Sequence, residues 1–272
     1  MIYQIYKPTE KLRQYIHFYW IMEFENTPKF GMDCQRVIPN GFVEIMFHYG
    51  DKLKTVKNDV VDNQPLTVIS GQKTDFFDIL QTGKTGFVAV LLKPHAAKMF
   101  FDVPIQELTN KSIDIESLIK REANNILEQI AEKKLNSQKI EIIENFLLKK
   151  LNNKHLLNFK RISESVNLIT NNCGLVKVSD LANSACWSEK QFYRVFLDFV
   201  GISPKQFLKI VRLQNALYQI QNNFAHNLTD LAYICGYFDQ AHFVNDFKAL
   251  TGFTPKKCME QNDIFSDYFA KV

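Results

Sequence analysis

Ser188, Lys190, Gln191, Tyr193 and Arg194 fall in one short stretch of the chain, and Asp239, Gln240, His242, Asn245 and Lys248 in a matching stretch further on. Their chemistry suits flat polar edges. Arg can grip a guanine edge with two hydrogen bonds, Gln or Asn can do the same to adenine, and Lys meets a phosphate. Between them, Phe192, Val195, Phe196 and Phe199 recur at helical spacing, as do Phe243, Val244, Phe247 and Leu250. That spacing predicts helices over 188–199 and 239–250, each with an apolar stripe inside and the long polar groups outside. A single helix of this kind usually presents only a solvated face. Here the pattern occurs twice, within a larger repeat.

The repeat runs from Lys177 to Pro204 and from Asn227 to Pro255. Each copy has a Ser or Thr, an Asp, Leu-Ala, a turn, the polar-aromatic helix, a Gly and a Ser/Thr-Pro. Ser179 and Thr229 are the expected caps of a short first helix, Ser188 and Asp239 those of the second. Gly236 suits a left-handed turn, whereas Cys186 in the matching place predicts a different turn. Ser203 then caps a long helix with Pro204 at its first position, where a missing N–H costs nothing. Phe207, Ile210, Val211, Leu213, Leu217 and Ile220 give that helix a broad apolar face able to pack on both units. It would set the two outer helices roughly 34 Å apart, one turn of duplex. Arg212 reads as a packed stem on this helix.

On these residues the stretch from Phe159 to Cys258 resembles the AraC/XylS family of bacterial transcription regulators, most specifically over GYFDQAHFVNDFKALTGFTPKK and RLQNALYQI. The resemblance implies two helix-turn-helix units, about 175–200 and 227–252, that bind double-stranded DNA, and it admits an activator that touches RNA polymerase. The chain departs from the family pattern at Cys186-Trp187, where Gly-Tyr is usual. It departs again at Lys256, Lys257 and Cys258, where an aromatic residue and Arg usually follow the last Thr-Pro. The runs RVIPNGFVEIMFHYGD, SGQKT and LLKPHAAKMFFDVPIQEL resemble, more distantly, an uncharacterised type of sensor domain found ahead of this module.

Composition neither forces nor opposes this reading. The whole chain carries a net charge of +4. Residues 159–258 hold 11 Lys/Arg against 7 Asp/Glu, again +4, which is mild for a nucleic-acid binder. The 272 residues suggest more than one domain. Five scattered cysteines form no CxxC pair, and no long apolar run suggests a leader or a membrane span. The expectation is a cytoplasmic, reduced protein without membrane contact.

The expected fold class is α+β: a β-rich N-terminal domain over 1–110, a helical linker over 111–158, and an all-α C-terminal domain over 159–272. Strands are predicted over 2–6, 17–24, 42–49, 66–70 and 86–93, from β-branched and aromatic runs between turn residues. Glu10 to Tyr15 reads as a helical turn, Pro39-Asn40-Gly41 as a tight turn, and Pro94 as the start of a helix. Helices over 114–151 carry Ile115, Leu118, Ile119, Ile126, Leu127, Ile130 and Leu135, then Ile140, Ile143, Phe146, Leu147 and Leu151, with a break at Asn136-Ser137. Their stripe would pair two subunits in a homodimer or close the first domain's own core. Residues 151–159 read as a linker.

Glu44, His48 and His95 are the one group in the N-terminal part that suggests metal or acid/base chemistry. Satisfied histidines are far commoner, and no catalytic residue, metal or cofactor is assigned. The aromatics from Tyr15 to Tyr49 suit a core and also the wall of a small-molecule effector pocket, whose binding residues the sequence does not give. Three functions remain open. They are a regulator with a sensing domain, a DNA-binding adaptor without ligand sensing, and a DNA-repair enzyme fused to the same module. The last needs clustered cysteines, and Cys34 stands alone in its region.

Overall fold

The computed structural model describes residues 2–24, 34–119, 122–222, 224–225 and 227–260. The described strands are β1 (Ile2–Tyr6), β2 (Ile16–Glu23), β3 (Cys34–Val37), β4 (Val43–His48), β5 (Lys54–Lys57), β6 (Val60–Asn63), β7 (Thr67–Ser70), β8 (Phe77–Leu80), β9 (Gly86–Leu92) and β10 (Ser112–Asp114). The order β1-β2-β9-β4-β7-β10 makes a six-stranded antiparallel sheet, and β3-β8-β5-β6 a four-stranded one. All five strands expected from the sequence lie in the larger sheet. The smaller sheet consists wholly of strands that the sequence reading misses, and β10 is also missed.

The larger sheet is buried on both faces. Phe18, Trp20 and Met22 of β2 join Met46, Phe87 and Ala89 in a cluster that faces Leu53 and Ile79, on the side of the smaller sheet. The alternate residues Tyr19 and Ile21 join Ile45, Phe47, Val88 and Val90 in the main core. Strands buried on both sides read as continuous apolar runs rather than alternating ones.

The described helices are α1 (Glu116–Ile119), α2 (Glu122–Glu132), α3 (Asn136–Lys150), α4 (Leu156–Asn171), α5 (Val178–Ser184), α6 (Glu189–Val200), α7 (Pro204–Gln221), α8 (Leu228–Ile234), α9 (Gln240–Thr251) and α10 (Pro255–Glu260). Ile119, Ala123, Ile126 and Ile130 join Ile140, Ile143, Phe146 and Leu147 in the same core as the sheet. Of the two uses foreseen for this stripe, it is put to closing the core. Buried ionic groups fix α3: Lys139 pairs with Glu23 at 3.1 Å, and Glu144 accepts bonds from the Thr9 backbone N–H at 2.9 Å and the Tyr19 hydroxyl at 3.1 Å.

Several local expectations need correction. The helix break lies before Asn136, which begins α3, and Leu135 at its cap is 61% exposed rather than part of the stripe. Pro94 leads into a turn and a short 3₁₀ helix, Ala97–Met99, not an α-helix. Residues 151–159 are no free linker. The Asn152 N–H bonds the Met99 carbonyl at 2.9 Å, a 3₁₀ turn follows at Asn153–His155, and Asp102 holds both Lys154 and His155.

The main core continues through Phe159 and Ile162 of α4 into Phe192, Phe196 and Phe199 of α6 and Phe207 of α7. A second core unites Leu213, Leu217, Leu231, Phe243 and Phe247, and Ile38 is the fully buried residue from the strand region that enters it. The first helical unit therefore shares its core with the sheet, while the second has a core of its own.

Candidate nucleic-acid interface

Two short helices, α5 and α8, each lead through one tight turn into a longer helix, α6 and α9. The turn opens the same way in both copies. Cys186 has φ 54° and Gly236 φ 73°, and the next N–H closes back on the first helix: Trp187 to Ala182 O and Tyr237 to Ala232 O, both at 3.0 Å. Cys186 thus adopts the left-handed conformation that was expected only of the glycine. Cys186 itself is exposed, while Ala182, Trp187 and Phe192 around the turn are buried.

Caps follow the sequence reading in the long helices and depart from it in the short ones. The Ser188 hydroxyl accepts from Gln191 N, and the Asp239 carboxylate from His242 N at 2.8 Å. The short helices start earlier than expected. Lys177 occupies the cap of α5 without a side-chain bond, and Asn227 caps α8 through Asp230 N, so neither Ser179 nor Thr229 is a cap. Thr229 donates instead to Gln240 Oε1 at 3.1 Å. Ser203 caps α7 in a reciprocal box with Gln206, with Pro204 behind it as expected.

All ten residues singled out from the sequence are solvent-exposed: Ser188, Lys190, Gln191, Tyr193 and Arg194 on the first unit, and Asp239, Gln240, His242, Asn245 and Lys248 on the second. They are not equally free. His242 lies 3.5 Å from Asp246, whose carboxylate also takes Lys209 at 2.9 Å and the Tyr237 hydroxyl at 3.3 Å. Ser188 and Asp239 spend their oxygens on caps. Lys190, Arg194, Asn245 and Lys248 have no ion pair or side-chain bond among the described residues.

One exposed residue lies outside the set of candidate site residues. Matching positions in the two copies differ by 50 up to Trp187/Tyr237 and by 51 from Ser188/Asp239 onward. The second turn therefore holds an extra residue, Phe238, and it is 89% exposed. The change of offset was the available signal.

Both long helices end against the strand region. Each stops at a left-handed glycine, Gly201 or Gly252. The Gly201 carbonyl accepts the Thr109 hydroxyl at 2.5 Å, and Asp198 pairs with the buried Lys98 at 2.9 Å. Beside Gly252, Arg36 of β3 lies between the rings of Phe76 and Phe253, at 4.2 and 4.4 Å, while Asp78 holds it from behind. Arg212 of α7 reaches Tyr237 in the second turn at 5.0 Å, in keeping with a packed stem.

Between the two sheets lies a narrow cleft of about 70 Å³, walled by Trp20, Met22, Phe42, Met46, Phe77 and Phe87. Glu44 and Lys73 are its ionisable groups. Burial pushes the Glu44 carboxyl up to about 7 and the Lys73 ammonium down to about 8. Glu44 accepts from the Trp20 indole N–H at 3.1 Å. His48 is taken by Gln64 at 3.1 Å, and His95 lies against the Phe159 ring at 4.9 Å, so the suspected trio is dispersed. No three His, Cys, Asp or Glu among the described residues are placed to hold a metal. No helix there is long and apolar enough to cross a membrane.

Residues 181–261 match a helix-turn-helix domain family, and residues 4–114 match a domain of unknown function. The chain is 32% identical over 80 residues to an uncharacterised HTH-type transcriptional regulator of Haemophilus influenzae, covering 29% of this chain and 26% of the relative. It is 30% identical over 82 residues to the probable transcriptional regulator LumQ of Photobacterium leiognathi, covering 30% and 33%. These matches span about a third or less of each relative. Among solved structures, ToxT of Vibrio cholerae aligns over 95% of this chain and 97% of its own, with 10% identity and a TM-score of 0.45.

Proposed function

We propose, on the premise that the chain carries an AraC-type helix-turn-helix domain behind a domain of unknown function, that it is a transcription regulator reading two successive major grooves through α6 and α9. The observation that carries this reading is the duplicated left-handed turn at Cys186 and Gly236, each leading into a capped helix with an exposed polar face. In each unit the first helix would brace the second against the duplex. Arg194 and Gln191 are the base readers of the first unit, and Gln240 and Asn245 those of the second. Lys190 and Lys248 supply phosphate contacts. Selection of DNA sites from a random pool by the full chain tests this: recovered sites should contain two half-sites about one helical turn apart. Recovery of a single half-site, or of no preferred sequence, overturns it.

The second part of the reading is control by a small molecule in the cleft between the sheets. Gln35 and Val37 line that cleft, and Arg36 between them reaches Phe253 in the second unit. A ligand that moves β3 would therefore act on the seat of α9. To shift the equilibrium it must favour one seating over the other. An effector should alter DNA affinity in the full chain and lose that power in Arg36→Ala.

A further inference from the structure

A second cavity, of about 670 Å³, lies between the strand region and the helices α4 and α7. Its size is ordinary for a ligand site, and its chemistry is unlike that of the cleft between the sheets. Of the 19 described residues that line it, none is Asp or Glu, while Lys93, His17 and His95 are all present. The three basic groups crowd one another. Lys93 depresses the protonation of both His17 and His95, after burial, which is the larger cause in each. No carboxylate among the described residues pairs with Lys93. His95 is 1% exposed, and neither ring nitrogen has a partner. Both rings are thereby kept neutral, which leaves Lys93 as the uncompensated charge of the cavity and the two His95 nitrogens as buried polar atoms without a hydrogen-bond partner.

The opposite wall is amide-rich. Asn167 of α4 is exposed, and Gln214 of α7 donates to the Pro39 carbonyl at 2.6 Å, which leaves its own carbonyl oxygen free. We propose that this cavity binds a small polar organic anion, whose charge meets Lys93 and whose hydroxyl groups meet Asn167 and Gln214. This ligand would be distinct from any occupant of the apolar cleft around Glu44. Because α7 joins the two helix-turn-helix units, an anion spanning Lys93 and Gln214 ties the joining helix to the sheet.

The test uses the full chain and named probes. Gluconate, citrate and glucose 6-phosphate are titrated calorimetrically, with glucose as the neutral control. At least one anion should bind saturably and glucose should not. Lys93→Met should weaken that binding about tenfold, as loss of a charge-assisted bond does. A second readout needs no variant. Cys173 is a free thiol in the cavity wall, and Cys186 is a free, exposed thiol outside it. The bound anion should slow iodoacetamide alkylation of Cys173 and leave Cys186 unchanged. Failure of all three anions to bind, affinity unchanged in Lys93→Met, or equal alkylation of Cys173 with and without the anion would each overturn the assignment.

Discussion

The Arg36 guanidinium stands 4.4 Å from the ring centre of Phe253, so a strand of the smaller sheet holds the end of α9. Phe76 closes the other side at 4.2 Å, and Asp78 takes the guanidinium edge at 2.8 and 3.0 Å. Ring contacts with a cation are worth about 0.5–2 kcal/mol each, depending on desolvation. Arg36→Ala should therefore cost about 2 kcal/mol, and the cost should be local. The second unit has its own core, whereas the first is continuous with the sheet. Hydrogen exchange should rise in α8, α9 and α10 and stay level in α5 and α6. A uniform rise across both units would mean that Arg36 supports the whole fold rather than one unit.

Thr109 plays the matching part at the first unit through its bond to the Gly201 carbonyl. Thr109→Val keeps the shape and removes the donor, for an expected loss of about 1 kcal/mol. Because α6 is also packed through Phe192, Phe196 and Phe199, its exchange pattern should barely change. Denaturant titration gives the first quantity and hydrogen exchange the second. Loss of α6 protection comparable to that of α9 in Arg36→Ala would contradict the asymmetry between the two units.

The parts of the fold that were legible in the sequence are those that carry a repeated apolar signal. Every residue of β9 is buried, as are six of the eight in β2, so their runs stand out. The strands KTVK and VVDN have no buried residue at all, and CQRV and FDIL are at most half-buried. Such an edge-like sheet leaves no alternation to read. The outer faces of α6 and α9 were legible because their stripes are regular. The seat of Gly252 on Arg36 was not, because it joins residues 216 positions apart. Cys186 misled because residue type only biases a turn, and an L residue can take the left-handed conformation at a cost of about 1–2 kcal/mol.

That turn gives a paired test. Gly236 has φ 73°, and a methyl group there would run into Leu175. Gly236→Ala should destabilise by about 1–2 kcal/mol from the left-handed backbone alone, with the Leu175 contact adding to it. Cys186→Gly relieves the same strain in the first copy and should stabilise by up to about 1 kcal/mol. Chemical denaturation of the two variants measures both. Opposite signs are expected, and destabilisation by both would show that the Cys186 side chain does more than endure the turn.

Acid sensitivity should centre on His95. Burial, then Lys93, holds its pKa down at about 3 from an ordinary 6.5. As pH falls below 6.5 the unfolded chain takes the proton first, so this contribution to stability is whole above 6.5 and is lost towards 3. The slope is about 1.4 kcal/mol per pH unit for one proton. Glu44 acts in the other direction. Its raised pKa, about 7, favours the neutral carboxyl in the fold, so stability is lost as pH rises from 4.5 through 7. Comparing wild type with His95→Leu by urea titration across pH isolates the first effect. The variant should have the shallower acid limb, and parallel limbs would mean that His95 titrates normally.

Base preference is the most direct test of the polar faces. Arg194→Ala and Gln240→Ala should each weaken specific binding by about 1–3 kcal/mol and relax preference at one or two positions of their own half-site. Gln240 allows a sharper variant. Thr229 holds its carbonyl oxygen at 3.1 Å, which leaves the amide N–H₂ directed elsewhere as a donor. Thr229→Val frees that amide to flip and should blur the second half-site while sparing the first and the affinity for random DNA. Lys248→Ala should do the reverse, lowering affinity for every sequence and flattening the salt dependence. Binding-site selection with each purified variant distinguishes these outcomes. If Arg194→Ala and Gln240→Ala leave the selected sites intact while Lys248→Ala lowers affinity throughout, the two helices sit on the backbone and sequence is read by other residues, with the exposed Phe238 the next to examine.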